Sequence, residues 1–200
     1  MSSAEPRWRR LEPDKRREQI LTCAIELFGE RPYAAVSTTE LARRAGVARG
    51  LINHYFGTKR DLYLEVVRRM VTIPQVAVDR LPDGTLEERI EVSVTWFLDG
   101  ISRHSLTWLA AIGAEGVDTE VARILAEADE LAADRVLEAT GLANREELRA
   151  TIRAYGGLVK TAAREWLVRG SLTRDQVQQL LSTTLLSIVR DAVPRIRLAP

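Results

Sequence analysis

The 200-residue sequence contains one cysteine and two histidines. The lone Cys23 closes no internal disulfide, and neither His54 nor His104 has a second histidine or cysteine at metal-ligand spacing. No metal or cofactor is therefore expected. Gly157-Leu158-Val159-Lys160 lacks the glycine spacing and the Lys-Ser/Thr pair of a phosphate loop. No convergent pair of carboxylates and no Ser/His/Asp arrangement points to an enzyme. With 12 glycines and 7 prolines, the chain is neither collagen-like nor low-complexity. No stretch approaches the roughly 18 uncharged apolar residues of a membrane-spanning helix. Residues 1–17 are charged throughout and have no apolar run, so no secretion signal is expected. Together with the cysteine count, this makes the cytoplasm the expected location.

What remains is 46% hydrophobic and 28% charged, the profile of a globular protein. The net charge of +1 conceals an asymmetry. Residues 1–73 carry 14 Lys and Arg against 9 Asp and Glu, a net of +5. Residues 74–200 carry 15 against 19, a net of −4. A basic N-terminal third on an acidic body suits a chain that meets a polyanion at one end. The tail Arg7-Trp8-Arg9-Arg10 reads as a solvated, mobile segment, with a minor-groove arm as the alternative.

Apolar residues recur at helical spacing almost everywhere, and no alternating run competes as a strand. The expected fold is all-α, with about nine helices. The first spans about 14–29 with Ile20, Ala24, Leu27 and Phe28 as its stripe. The second opens on a Ser37/Glu40 capping box and stops at Gly46. The third is short, about 48–55. The fourth opens on a Thr58/Asp61 box and ends before Pro74. A loop holding Pro74, Pro82 and Gly84 follows. The fifth opens on a Thr85/Glu88 box, the sixth spans about 105–114, and Asp118 caps a seventh that stops at Gly141. Asn144 is expected to cap the eighth, which runs to Gly170, and the ninth spans about 173–192. Gly156 and Gly157 weaken the eighth helix, for which close approach of another helix is the expected reason.

The second and third helices, joined by a tight glycine turn, make a helix-turn-helix. Leu41, Ala42 and Ala45 face inward, Val47 plugs the turn, and Ile52 and Phe56 anchor the third helix. Its outer face presents Ala48, Arg49, Gly50, Asn53, His54 and Tyr55, small and polar groups suited to base edges in a major groove. Lys59 opens the fourth helix, where an ammonium and helix N–H groups can grip a phosphate.

Residues 16–70 resemble the DNA-binding domain of the TetR family of transcriptional regulators. The segment TTELARRAGVARGLINHYFGTKRDLY, 38–63, follows the family signature at Val47, Gly50, His54-Tyr55-Phe56, Lys59 and Leu62. The resemblance implies DNA contacts at Thr38, Thr39, Arg49, Gly50, Asn53, His54, Tyr55 and Lys59. Asn53 departs from the family's usual tyrosine and suits pairing with adenine, and Leu51 replaces a residue that is often threonine. Beyond residue 74 only the helix count and lengths follow the family plan.

In the body, Trp96, Phe97, Trp108, Tyr155 and Trp166 read individually as core and collectively as walls of an apolar cavity. The family houses its effector among helices four to eight, which makes these aromatics and His104 candidate effector contacts. The last two helices are apolar over more than one face. The surplus, including Leu158, Trp166, Leu181, Leu185 and Ile188, suits a partner, and the family pairs these two helices across a dimer axis. The resemblance thus implies a homodimer on palindromic double-stranded DNA, released by a small-molecule effector, with residues 1–73 for DNA (basic tail 1–13) and 74–200 for effector and dimer. A ligand-blind architectural protein and a helical enzyme are the rival readings. Cys23 reads as a packing residue.

Overall fold

The computed structural model describes residues 13–196. The Arg7–Arg10 tail lies outside them. The described residues contain helices and no strand. The chain divides into two compact units at Val66/Val67, inside the fourth helix and ahead of Pro74.

The N-terminal unit comprises α1 (Pro13–Glu30), a 3-10 turn at Tyr33–Ala35, α2 (Thr38–Arg44), α3 (Arg49–Phe56) and the first part of α4 (Lys59–Val71). Its core is the expected set: Ile20, Ala24, Leu27 and Phe28 from α1, Leu41 and Ala42 from α2, Ile52 and Phe56 from α3, and Leu62 from α4 are all buried. Phe28 and Tyr63 meet edge-on at 5.2 Å, with Tyr33 4.8 Å from Tyr63. Such pairs add roughly 0.5–1.5 kcal/mol beyond their buried area.

The Ser37 hydroxyl accepts the Glu40 backbone N–H at 3.1 Å, but the expected return bond is replaced. The Glu40 carboxylate pairs instead with Arg31, because a full charge beyond α1 competes with a backbone N–H. The Thr58/Asp61 box closes in both directions, at 2.9 and 3.1 Å. Those hydrogen bonds, from the Thr58 hydroxyl first and its backbone N–H second, hold the Asp61 carboxyl below its ordinary pKa.

The C-terminal unit contains the rest of α4, then α5 (Gln75–Asp79), α6 (Leu86–Arg103), α7 (Ser105–Gly113), α8 (Thr119–Thr140), α9 (Glu146–Arg164) and α10 (Arg174–Ser187). The five-residue α5 replaces part of the expected loop: Pro74 precedes its first turn, where a missing N–H costs nothing. The Thr85/Glu88 box and the Asp118 cap form as expected. Asn144 does not cap α9. It bridges Asp134 and Arg149 instead, and the helix starts after Arg145 without a side-chain cap.

One core cluster joins Ile90, Val94 and Leu98 of α6, Ala133 and Leu137 of α8, Leu148, Ile152 and Tyr155 of α9, and Val177, Leu181 and Leu185 of α10. The buried Tyr155 hydroxyl donates to the Leu181 carbonyl at 3.0 Å, tying α9 to α10. Leu181 and Leu185, two of the expected dimer contacts, are 1% and 6% exposed. They fill this chain's own core, because the apolar surplus of α10 is divided between an inner and an outer stripe. Gly157 meets no neighbour within 4 Å and Gly156 only the Asp129 carboxylate at 3.8 Å. The expected close helix approach at these glycines is thus not made inside the described chain.

Candidate nucleic-acid interface and effector cavity

The turn between α2 and α3 is built from the backbone outward. Gly46 takes φ +62°, the left-handed conformation that glycine adopts without a Cβ penalty. The Val47 N–H then reaches the Ala42 carbonyl at 3.0 Å. Gln19 of α1 donates to the Ala45 carbonyl at 2.8 Å. Arg44 pairs with Glu30 at 2.7 Å and with Glu26 at 3.4 Å. The turn is therefore held from behind by α1, and α3 is fixed in orientation.

The outward face of α3 is left open. Arg49, Gly50, Asn53 and His54 are exposed, and Tyr55 is half-buried with its ring edge-on to His54. Neither Arg49, Asn53 nor His54 has a side-chain hydrogen bond or ion pair among the described residues. Gly50 is more telling. Its φ is not positive and an added Cβ would meet nothing. The fold does not require glycine there, although glycine in a helix costs about 0.5–1 kcal/mol relative to alanine. Thr39 is exposed and Thr38 half-buried at the start of α2.

Lys59 is half-buried, its ammonium 4.1 Å from the centre of the Tyr33 ring. The cation–π contact preorganises this charge at the N-terminus of α4. Tyr33 is a positioning residue that the sequence reading missed, since its 3-10 turn shows no periodicity. Gly57 was missed as well. It closes α3 at φ +80°, and a Cβ there would sit 3.0 Å from the Asp61 carboxylate, so it combines a backbone need with a space need. Cys23 lies against the Arg44 carbonyl, and burial, reinforced by Glu26, pushes its thiol pKa up. A thiol so disposed is a poor redox sensor.

The C-terminal unit holds two apolar cavities. The first, about 230 Å³, lies among α5, α6 and α8, with Val76, Trp96, Phe97 and Arg135 on its wall. The second, about 150 Å³, is bounded by Phe97, Trp108, Tyr155 and the Lys160–Asp129 pair at 2.7 Å. Of the candidate effector residues, Trp96, Phe97, Trp108 and Tyr155 therefore reach a cavity. His104 and Trp166 reach neither: His104 precedes the first turn of α7, and Trp166 packs on the core cluster. Arg135 was missed, because an arginine in a helix of mixed charge reads as solvated.

No group of three or more potential metal-ligating side chains occurs among the described residues. No helix among them is long and apolar enough to cross a membrane.

A glycine-turned helix pair, braced from behind and open in front, with a cation beside it, is a helix-turn-helix unit. Residues 20–66 match the family described as bacterial regulatory proteins, tetR family. The chain is 36% identical over 101 residues to the HTH-type transcriptional activator FasR of Mycolicibacterium smegmatis, covering 50% of this chain and 46% of that protein. It is 34% identical over 103 residues to the HTH-type transcriptional regulator BetI of Escherichia coli, covering 48% and 52%. The chain spans about half the length of these curated relatives. Among solved structures, a tetR-family transcriptional regulator from Streptomyces coelicolor superposes with a TM-score of 0.72 at 24% identity, over 90% of this chain and 83% of that one. A TetR regulator from Rhodococcus sp. RHA1 gives 0.66 at 20% identity, over 91% and 99%. At these identities the likeness carries the fold of the C-terminal unit and nothing finer.

Proposed function

We propose that the chain is a ligand-responsive transcriptional regulator of the cytoplasm, a homodimer that leaves a palindromic operator when a small, largely apolar effector binds. Residues 1–73 serve DNA and 74–200 serve effector and dimer. The observation that carries this reading is the open face of α3. The Arg49, Asn53 and His54 side chains have no hydrogen bond or ion pair among the described residues, and an added Cβ at Gly50 would meet nothing. Arg49 and Asn53 read base edges, Thr38, Thr39 and Tyr55 flank them, and Lys59 holds a phosphate.

The dimer face is the outer stripe of α9 and α10 and of the π-helical turns that continue them, Glu165–Arg169 and Ile188–Ala192. Leu158, Ile188 and Trp166 stay in it as half-buried members. Gly157, Thr161, Val168 (65% exposed) and Leu180 (39% exposed) take the places of Leu181 and Leu185. Two recognition helices on a two-fold axis then meet successive major grooves roughly 34–36 Å apart.

The switch runs along α4, which begins at the DNA contact Lys59 and ends beside the effector cavities. Its C-terminal extension is held by Arg135, which donates to the Ile73 carbonyl. An effector that favours a displaced α4 weakens operator binding by about 5- to 150-fold, the usual range of allosteric coupling. Repression is the direction we favour. The activator named among the relatives supports a second reading, in which the same switch acts from an operator placed to recruit transcription.

Coupling is reciprocal, which gives the test. A compound found by its thermal stabilisation of the protein is titrated with and without saturating operator fragment. The proposal expects weaker binding in the presence of DNA by the factor seen in the converse experiment. Equal affinities overturn the switch.

A further inference from the structure

We infer that the effector is an anion, an apolar body carrying one carboxylate, and that Arg135 is its counter-charge. The inference rests on the effector reading above and deepens it.

The first cavity is electrically one-sided. Its wall is formed mainly by Val76, Leu81, Val92, Trp96 and Phe97, with the cations Arg80 and Arg135 and no carboxylate at all. This occurs in the half of the chain whose net charge is −4, so chance composition favours the opposite. Arg80 is exposed at the rim, whereas Arg135 is half-buried. The Arg135 guanidinium makes one hydrogen bond among the described residues, from Nη1 to the Ile73 carbonyl. Its Nε is buried and has no acceptor.

The neighbouring acids are engaged elsewhere. Asp134 takes Arg149 and Asn144, while Asp79 and Glu138 accept from Gln75 at 3.2 and 3.4 Å. No ion pair to Arg135 occurs among the described residues. A half-buried guanidinium with a buried, unsatisfied Nε gains from a counter-ion, and its planar fork matches a carboxylate.

The second cavity provides the contrast. Its cation, Lys160, is already neutralised by Asp129 at 2.7 Å and Glu115 at 3.3 Å. It therefore imposes no demand on ligand charge. The first cavity alone selects for an anion. A void of roughly 150 Å³ holds benzene, so 230 Å³ takes a body of about six to ten carbons. Because Arg135 also holds the Ile73 carbonyl, a carboxylate drawn to it acts on the residue that follows α4.

The test uses the full chain and three probes of one shape: octanoate, octan-1-ol and octylammonium, each titrated calorimetrically. Octanoate should bind about tenfold or more tighter than octanol, the range of one charge-assisted hydrogen bond, with octylammonium weakest. In Arg135→Met the acid and alcohol should bind alike, with octanol affinity retained. Arg135→Lys should keep part of the preference. Equal binding of acid and alcohol to the unmodified protein overturns the inference and leaves the effector cavity standing, and that comparison needs no variant to fold. A preference that survives Arg135→Met overturns it too. If none of the three probes binds, the cavity reading falls and takes this inference with it.

Discussion

The two units of the chain deploy charge in opposite ways. In the N-terminal unit the ion pairs lie behind the site: Arg44 with Glu30 and Glu26, and Arg31 with Glu40, brace α2 and leave the front of α3 bare. In the C-terminal unit several outer charges are compensated, with Arg149 and Arg153 on Glu130 and Lys160 on Asp129, while half-buried Arg135 on the cavity wall has no ion pair among the described residues. Arg149, as the principal hydrogen-bond donor, lowers the Glu130 pKa. A surface that reads a polyanion presents its unpaired groups outward. The location of the unpaired group, more than the total charge of either unit, distinguishes the two.

The comparison breaks most severely in the body. Leu185→Glu buries a charge in the core cluster and should cost at least about 3–5 kcal/mol, seen as loss of the urea unfolding transition. Leu180→Glu, on the same helix but on its outer stripe, should leave a folded monomer by sedimentation. Its operator affinity should fall about 100-fold or more as avidity is lost. A folded dimer in the first variant, or an unchanged dimer in the second, contradicts the division of α10 into two stripes.

In the N-terminal unit the expected effects are smaller and separable by kind. Lys59→Ala should weaken binding to every sequence alike and reduce the salt slope by about 1. Arg49→Ala or Asn53→Ala should relax preference at individual base pairs, at about 1–3 kcal/mol each. Identical, sequence-independent losses in all three variants would remove base reading from α3. The smallest effect sharpens the comparison most. Gly50→Ala should stabilise the fold by up to about 1 kcal/mol while weakening operator binding. A variant that gains stability and keeps full affinity would mean that nothing approaches α3 at this point.

The head was legible because its signals are local. Gly46, the Thr58/Asp61 box and the spacing of Leu41, Ala42, Ile52 and Phe56 each act within a few residues, and each has its expected place. Ser37/Glu40 went half wrong for a tertiary reason, since the sequence pattern does not reveal that Arg31 competes for the carboxylate. The body was legible as helices and illegible as a site. Periodicity marks an apolar face but not whether it packs on the same chain or another, so Leu181 and Leu185 looked available and are not. Trp96, Phe97, Trp108 and Tyr155 do line cavities, while His104 and Trp166 do not. No local pattern separates the two groups. Arg135 was invisible because its meaning depends on which carboxylates are absent around it.

Selection of bound DNA from a random pool tests the central claim most directly, because it asks of the open α3 face what it reads and with what symmetry. The account predicts enrichment of an inverted repeat whose half-sites are centred about one helical turn, or a multiple of it, apart. That preference should be lost at defined positions in Arg49→Ala and retained, with weaker binding throughout, in Lys59→Ala. Recovery of no enriched sequence, or of a single site without two-fold symmetry, would contradict it.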